Sequence, residues 1–199
     1  NHTHIFNVES IPEKMMPMKE IPVMSENKYS LLLLRTLTLF SYKSDFLKKQ
    51  KAFLKYHTED WQEAIFRELQ GIYPKGTKFV VLTMDFDFMG AGKAERNYVA
   101  QLTEMAALKR MYPNELLPFV AIDPRRGTAE ENRDFVKKWI EEFGFAGIKM
   151  YPPLGFYPKD DRLDLVYKYA VDNELPVLTH CSKDGGIYYK GDFNKECVF

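Results

Sequence analysis

From about residue 77 onward, short apolar runs alternate with stretches whose apolar residues recur at helical spacing, so strands and amphipathic helices are expected to follow one another. The runs 79–84, 116–122, 145–151 and 175–180 are rich in β-branched and aromatic residues and are bounded by Gly, Pro, Asn or Asp, which reads them as strands. Between them, a helix is predicted from about Lys93 to Met111. A second is opened by a capping box of Thr128 and Glu131, buries Phe135, Val136, Trp139, Ile140 and Phe143, and is stopped by Gly144. A third, capped by Asp160 or Asp161, turns Leu163, Val166, Tyr167, Ala170 and Val171 to one side. Strand starts near 78, 117, 146 and 175 give late intervals of about 29 residues, the length of one βα unit of a barrel.

The strands are nearly continuous in apolar residues, as parallel strands covered on both faces are. Their polar residues gather at the carboxyl ends: Asp85, Asp87, Asp123, Lys149, Tyr151 and His180. In parallel α/β architectures that rim is where ligands bind. Asp123 before Pro124 reads as a turn former, whereas Asp85 and Asp87 read equally well as caps or as substrate contacts.

Residues 9–76 interrupt the rhythm and are too long for a direct βα connection, so they form a helical insertion with structure of its own. Within it, 11–23 reads as an irregular covering segment and 29–56 and 58–69 as helices, with Leu31 to Leu34, Leu37 and Leu39 buried against the body of the domain. His57, between the helices, reads as a cap or surface residue.

Composition narrows the class. Lys plus Arg equals Asp plus Glu at 28 each, so there is no net field to gather a nucleic acid or an anionic membrane. The strongest apolar run, 31–40, is half of what a membrane span needs and contains Arg35. Two cysteines, Cys181 and Cys197, are too few for a disulfide framework and suit a reduced, cytoplasmic protein.

The candidate chemistry lies in the histidines. His2 and His4 stand two positions apart, on one side of an extended chain, and His180 closes another strand-like run. Taken alone, His-x-His is read most simply as a pair of surface histidines; beside His180 at the rim it becomes half of a divalent metal site. Imidazoles with an oxygen ligand suit zinc, and manganese, iron or cobalt are also compatible. Lys149, ending a strand near these histidines, needs a reason to be there: either its amine is carboxylated and ligates the metal, or it turns aside to pair with Asp123 or a substrate carboxylate. It is the candidate catalytic residue, with Tyr151, Asp85 and Asp87 as substrate contacts. A metal-activated water would hydrolyse an amide, ester or lactone; the same ion could stabilise charge during decarboxylation.

Four segments together resemble the amidohydrolase superfamily, in the branch of the aminocarboxymuconate-semialdehyde decarboxylase-like enzymes and related metal-dependent hydrolases. These are His2-Thr3-His4, Val120-Ala121-Ile122-Asp123-Pro124, the run from Gly147 to Phe156 and the run from Pro176 to Cys181. The resemblance covers 1–8 and roughly 77–190. It implies a distorted (β/α)8 TIM barrel, incomplete at about five βα units in one domain over 1–199. It also implies metal ligation by His2, His4 and His180, and a match of Lys149 to the lysine carboxylated in binuclear members. The family's later histidine and aspartate have no counterpart here, so the remainder of the barrel is expected from a longer chain or a second chain. A non-catalytic metal-binding barrel is the rival reading. A small-molecule substrate is the expected partner, with homo-oligomerisation left open.

Overall fold

A computed structural model describes residues 2–12 and 61–180. Five strands occur in it: β1 (His2–Thr3), β2 (Phe79–Leu82), β3 (Leu116–Ala121), β4 (Gly147–Met150) and β5 (Val177–Thr179). Four α-helices join them, α1 (Gln62–Ile72), α2 (Tyr98–Met111), α3 (Ala129–Glu141) and α4 (Asp164–Asp172). The expected helix over 29–56, His57, both cysteines and the segment 184–199 lie outside the described residues.

All neighbouring strands pair in parallel, in chain order β1-β2-β3-β4-β5. The expected (β/α)8 TIM barrel is corrected by this topology. Among the described residues the sheet is an open half-barrel whose edges, β1 and β5, pair only with β2 and β4. The βα rhythm fixes parallel pairing and crossover length, and open and closed parallel sheets share both. Closure depends on strand number and shear, which a repeat interval does not encode.

Each element has a local cause. Helix α3 starts at the capping box: Glu131 N donates to Thr128 Oγ1 at 3.2 Å and Thr128 N to Glu131 Oε2 at 2.8 Å. It ends before Gly144, whose φ of 72° is open to glycine without strain. Helix α2 begins at Tyr98, later than the periodicity suggested, because Asn97 takes the N-cap and accepts from Ala100 N at 2.9 Å. The residues ahead of it serve a long-range contact instead: Arg96 N donates to Glu9 O at 2.9 Å, and the Arg96 side chain pairs with Glu9 and Glu104. Asp160 caps the 3-10 turn Asp161–Leu163 that leads into α4.

Register assigns the two faces. Val81 pairs with Pro118, and Val120 with Ile148, itself opposite Val177; Phe79, Val81, Leu116, Val120, Ile148 and Met150 form one core with residues of all four helices. Successive strands running the same way place the crossovers on one side of the sheet. Phe66 of α1 is fully buried there and meets Phe79 and Tyr112 edge-to-face at 5.5 and 4.9 Å. A second apolar cluster, Phe6, Ile11, Met84, Phe86, Met89, Ala91 and Leu154, gathers separately and packs on Tyr151.

Candidate functional site

The face opposite the helices carries the chemistry. Leu82, Phe119 and Gly147 lie in register, and so do Ala121, Lys149 and Leu178. Alternation then puts Tyr151 and His180, two residues beyond Lys149 and Leu178, on the same face at the carboxyl edge. Gly147 is required at its position: a Cβ there would stand 2.7 Å from the Phe119 ring and 2.8 Å from Pro176 O.

Lys149, Tyr151 and His180 form a contact chain. Lys149 is 1% exposed, and its Nζ lies 5.5 Å from the centroid of the Tyr151 ring. Tyr151 in turn meets His180 edge-on, with centroids 4.4 Å apart and planes at 87°. His180 N donates to Met150 O at 3.0 Å, which ties the end of β5 to β4. Burial pushes the Tyr151 phenol up, so it remains a neutral O–H donor through the physiological range.

His4 follows the opposite edge strand. Its Nδ1 stands 3.0 Å from Leu82 O. A carbonyl only accepts, so Nδ1 carries the proton and the lone pair is on Nε2. His2, in β1, pairs in register with Val80. Among the described residues, no three His, Cys, Asp or Glu side chains converge to hold a metal ion. Four strand spacings amount to about 19 Å along a flat sheet, so His4 and His180 reach a common ion only across the curve of a half-barrel. The donor chemistry suits a borderline divalent cation, since two imidazoles stand at the carboxyl edge and one has its tautomer set for ligation through Nε2.

The two aspartates after β2 are placed differently. Asp85 is 1% exposed and receives Arg126 on both oxygens, with Nη2 at 2.8 Å from each and Nε at 3.0 Å from Oδ2. Arg126 Nη2 also donates to Asp87 at 2.9 Å. The guanidinium carbon lies 5.0–5.2 Å from the ring centroids of Phe88, Tyr98 and Phe135. Burial pushes the Asp85 carboxyl up to about 7, against the pull of Arg126 and with the help of Asp87 and Asp123. The geometry thus uses both aspartates to hold an arginine that the sequence reading passed over. The signal was present, because Arg125-Arg126 directly follows the Asp123-Pro124 turn.

Asp123 is the turn former its neighbour proline suggested. It accepts from Arg125 N at 3.0 Å and from Arg125 Nε at 2.8 Å, while Arg125 Nη2 reaches Leu154 O at 3.0 Å. Tyr98, whose phenol burial pushes up, donates to Ala121 O at 2.9 Å and lies 2.7 Å from Thr83 Oγ1, tying α2 to the ends of β2 and β3.

Among the described residues no helix is long and apolar enough to cross a membrane. Comparison with protein-family models, curated proteins and solved structures found no match to this chain.

Proposed function

We propose that the carboxyl edge of this sheet is the site of a metal-dependent hydrolase acting on a small amide, ester or lactone, related to the amidohydrolase superfamily. The observation that carries the reading is His4: a carbonyl acceptor on Nδ1 is the arrangement that aims Nε2 at a metal and raises its basicity. His2, His4 and His180 would hold the ion, with zinc the best match to imidazole donors and manganese, iron or cobalt compatible. When bound, the ion supplies Lewis acidity and lowers the pKa of water toward neutrality.

The chain's own groups supply the rest. Tyr151, neutral and half-buried, donates a hydrogen bond to the carbonyl or leaving-group oxygen of the substrate. Lys149, at the buried end of the chain of contacts, brings positive charge to the Tyr151 ring and orients an anionic part of the substrate toward it. The apolar cluster against Tyr151 keeps water away from that side. A two-cysteine composition supports a reducing compartment such as the cytoplasm.

Metal analysis of the purified protein, with His4→Ala and His180→Ala beside it, tests the assignment. Each variant should bind at least about tenfold less zinc than the parent, as the loss of one ligand entails. Hydrolysis of a panel of esters, lactones and amides should fall with the metal. Equal metal content in all three proteins would refute the site, and carbon dioxide release from an acid substrate would reassign it to a decarboxylase.

A further inference from the structure

We infer that the apolar groove on the outer side of α1 and α2 is the seat of this chain's own leucine-rich run, residues 31–40. The groove, a cavity of about 560 Å³, follows Ala100, Thr103, Ala107 and Met111 along α2 and takes in Trp61 beside α1. Spacings of three and four residues put that stripe on one face of α2. It is the face turned from the sheet, because Leu102, Met105 and Ala106 enter the core on the other side. Thr103 donates its hydroxyl to Val99 O at 2.8 Å, so no side chain of the stripe calls for a polar partner. Trp61 is 61% exposed and Met111 53%. Large apolar surface gathered in one groove, rather than scattered, marks a contact.

The path of the chain names the occupant. The segment 13–60 both leaves and rejoins the described residues beside this groove. Glu9, near its start, pairs with Arg96, whose guanidinium lies 5.0 Å from the ring centroid of Trp61, the first residue after its end. Arg96 also pairs with Glu104, so one side chain gathers both chain ends on the rim of the groove. The densest apolar run between those ends is Leu31 to Phe40, with six leucines, a phenylalanine and a single charge, Arg35. Such a run needs cover from water.

Length and pattern agree with the seat. At the helical rise, ten residues measure about 15 Å, close to the distance along α2 from Ala100 to Met111. At helical spacing Leu33, Leu37 and Phe40 share one face and Arg35 falls on the opposite one, as a groove closed on one side and wet on the other requires. Small side chains at 100, 103 and 107 leave room for the larger ones of the run. The connection 41–60 spans about 30 Å even when helical, enough to fold the run back from Trp61. A tethered run reaches the groove at high effective concentration, whereas a second copy seated there would leave each chain's own leucines uncovered. The opposite face of α2 holds Tyr98, which donates to Ala121 O, and Gln101, whose Oε1 accepts from Met84 N at 3.1 Å. Seating the run therefore steadies the helix that fixes the ends of β2 and β3.

Photo-crosslinking of the whole chain in dilute solution tests the seat. Benzoylphenylalanine placed at Ala107 and irradiated should attach to residues 29–42 of the same molecule, as read by peptide mass mapping. Attachment between two molecules would assign the groove to a second copy, and attachment elsewhere or none would leave the run without a seat there; each result overturns the inference. Hydroxyl-radical labelling of the unsubstituted chain covers the case of a variant that does not fold. With the groove filled, Trp61 should be labelled several-fold more slowly than free tryptophan in the same solution. In Leu33→Asp/Leu37→Asp its rate should rise several-fold while that of Trp139, buried in the core, stays unchanged. A parent rate equal to that of free tryptophan, or equal Trp61 labelling in the two proteins, would overturn the seat.

Discussion

At the scale of single residues, environment decides what each polar group does. Asp85 and Asp160 are both aspartates bound by arginine. Asp160 is partly exposed and its Arg162 partner holds its carboxyl below the usual range. Asp85 is buried, and desolvation outweighs Arg126. The sign of its contribution to stability follows. Because the folded-state value of about 7 lies above the ordinary carboxyl value of 3.8, the stabilisation is fully present below the unfolded value and is lost as pH rises through the folded one. Denaturant titrations of the parent protein across that window should therefore lose stability relative to Asp85→Asn as pH increases. Parallel curves for the two proteins would place the proton elsewhere.

At the scale of elements, short-range chemistry sets where helices start. Thr128 and Glu131 satisfy each other's backbone donors reciprocally, and Asn97 does the same for one end of α2. Thr128→Ala should lower stability by about 1 kcal/mol, read as a shift in denaturation midpoint without a change in slope. These caps were legible in the chain to different degrees. The pair at 128 and 131 stands in the expected motif, whereas Asn97 was hidden because the helical periodicity runs on through 93–97, residues that Glu9 claims through Arg96.

At the scale of the whole molecule, one apolar layer joins all four described helices to one face of the sheet, and the other face presents polar groups at its carboxyl edge. Phe66, beside Ile65, brings α1 into that layer, meeting the sheet at Phe79 and the end of α2 at Tyr112. Phe66→Ala should cost about 3–5 kcal/mol in chemical denaturation, since a fully buried ring leaves a cavity that two edge-to-face neighbours cannot close. A loss under about 1 kcal/mol would mean that α1 is not part of the cooperative core.

The amino-acid order by itself determined the succession of strands and helices, the cap at Thr128, the turn at Asp123 and the gathering of polar residues at strand ends. All of these follow from interactions within a few positions along the chain or from the period of burial. Tertiary structure alone decided that the described strands form an open sheet, that Arg126 captures Asp85 and Asp87, that Leu82 sets the tautomer of His4, and that Lys149 lies buried against Tyr151. Those partners are separated by tens of residues, apart from Lys149 and Tyr151, whose closeness matters only because β5 brings His180 to them. Strand pairing in space, which no local pattern encodes, creates each of them.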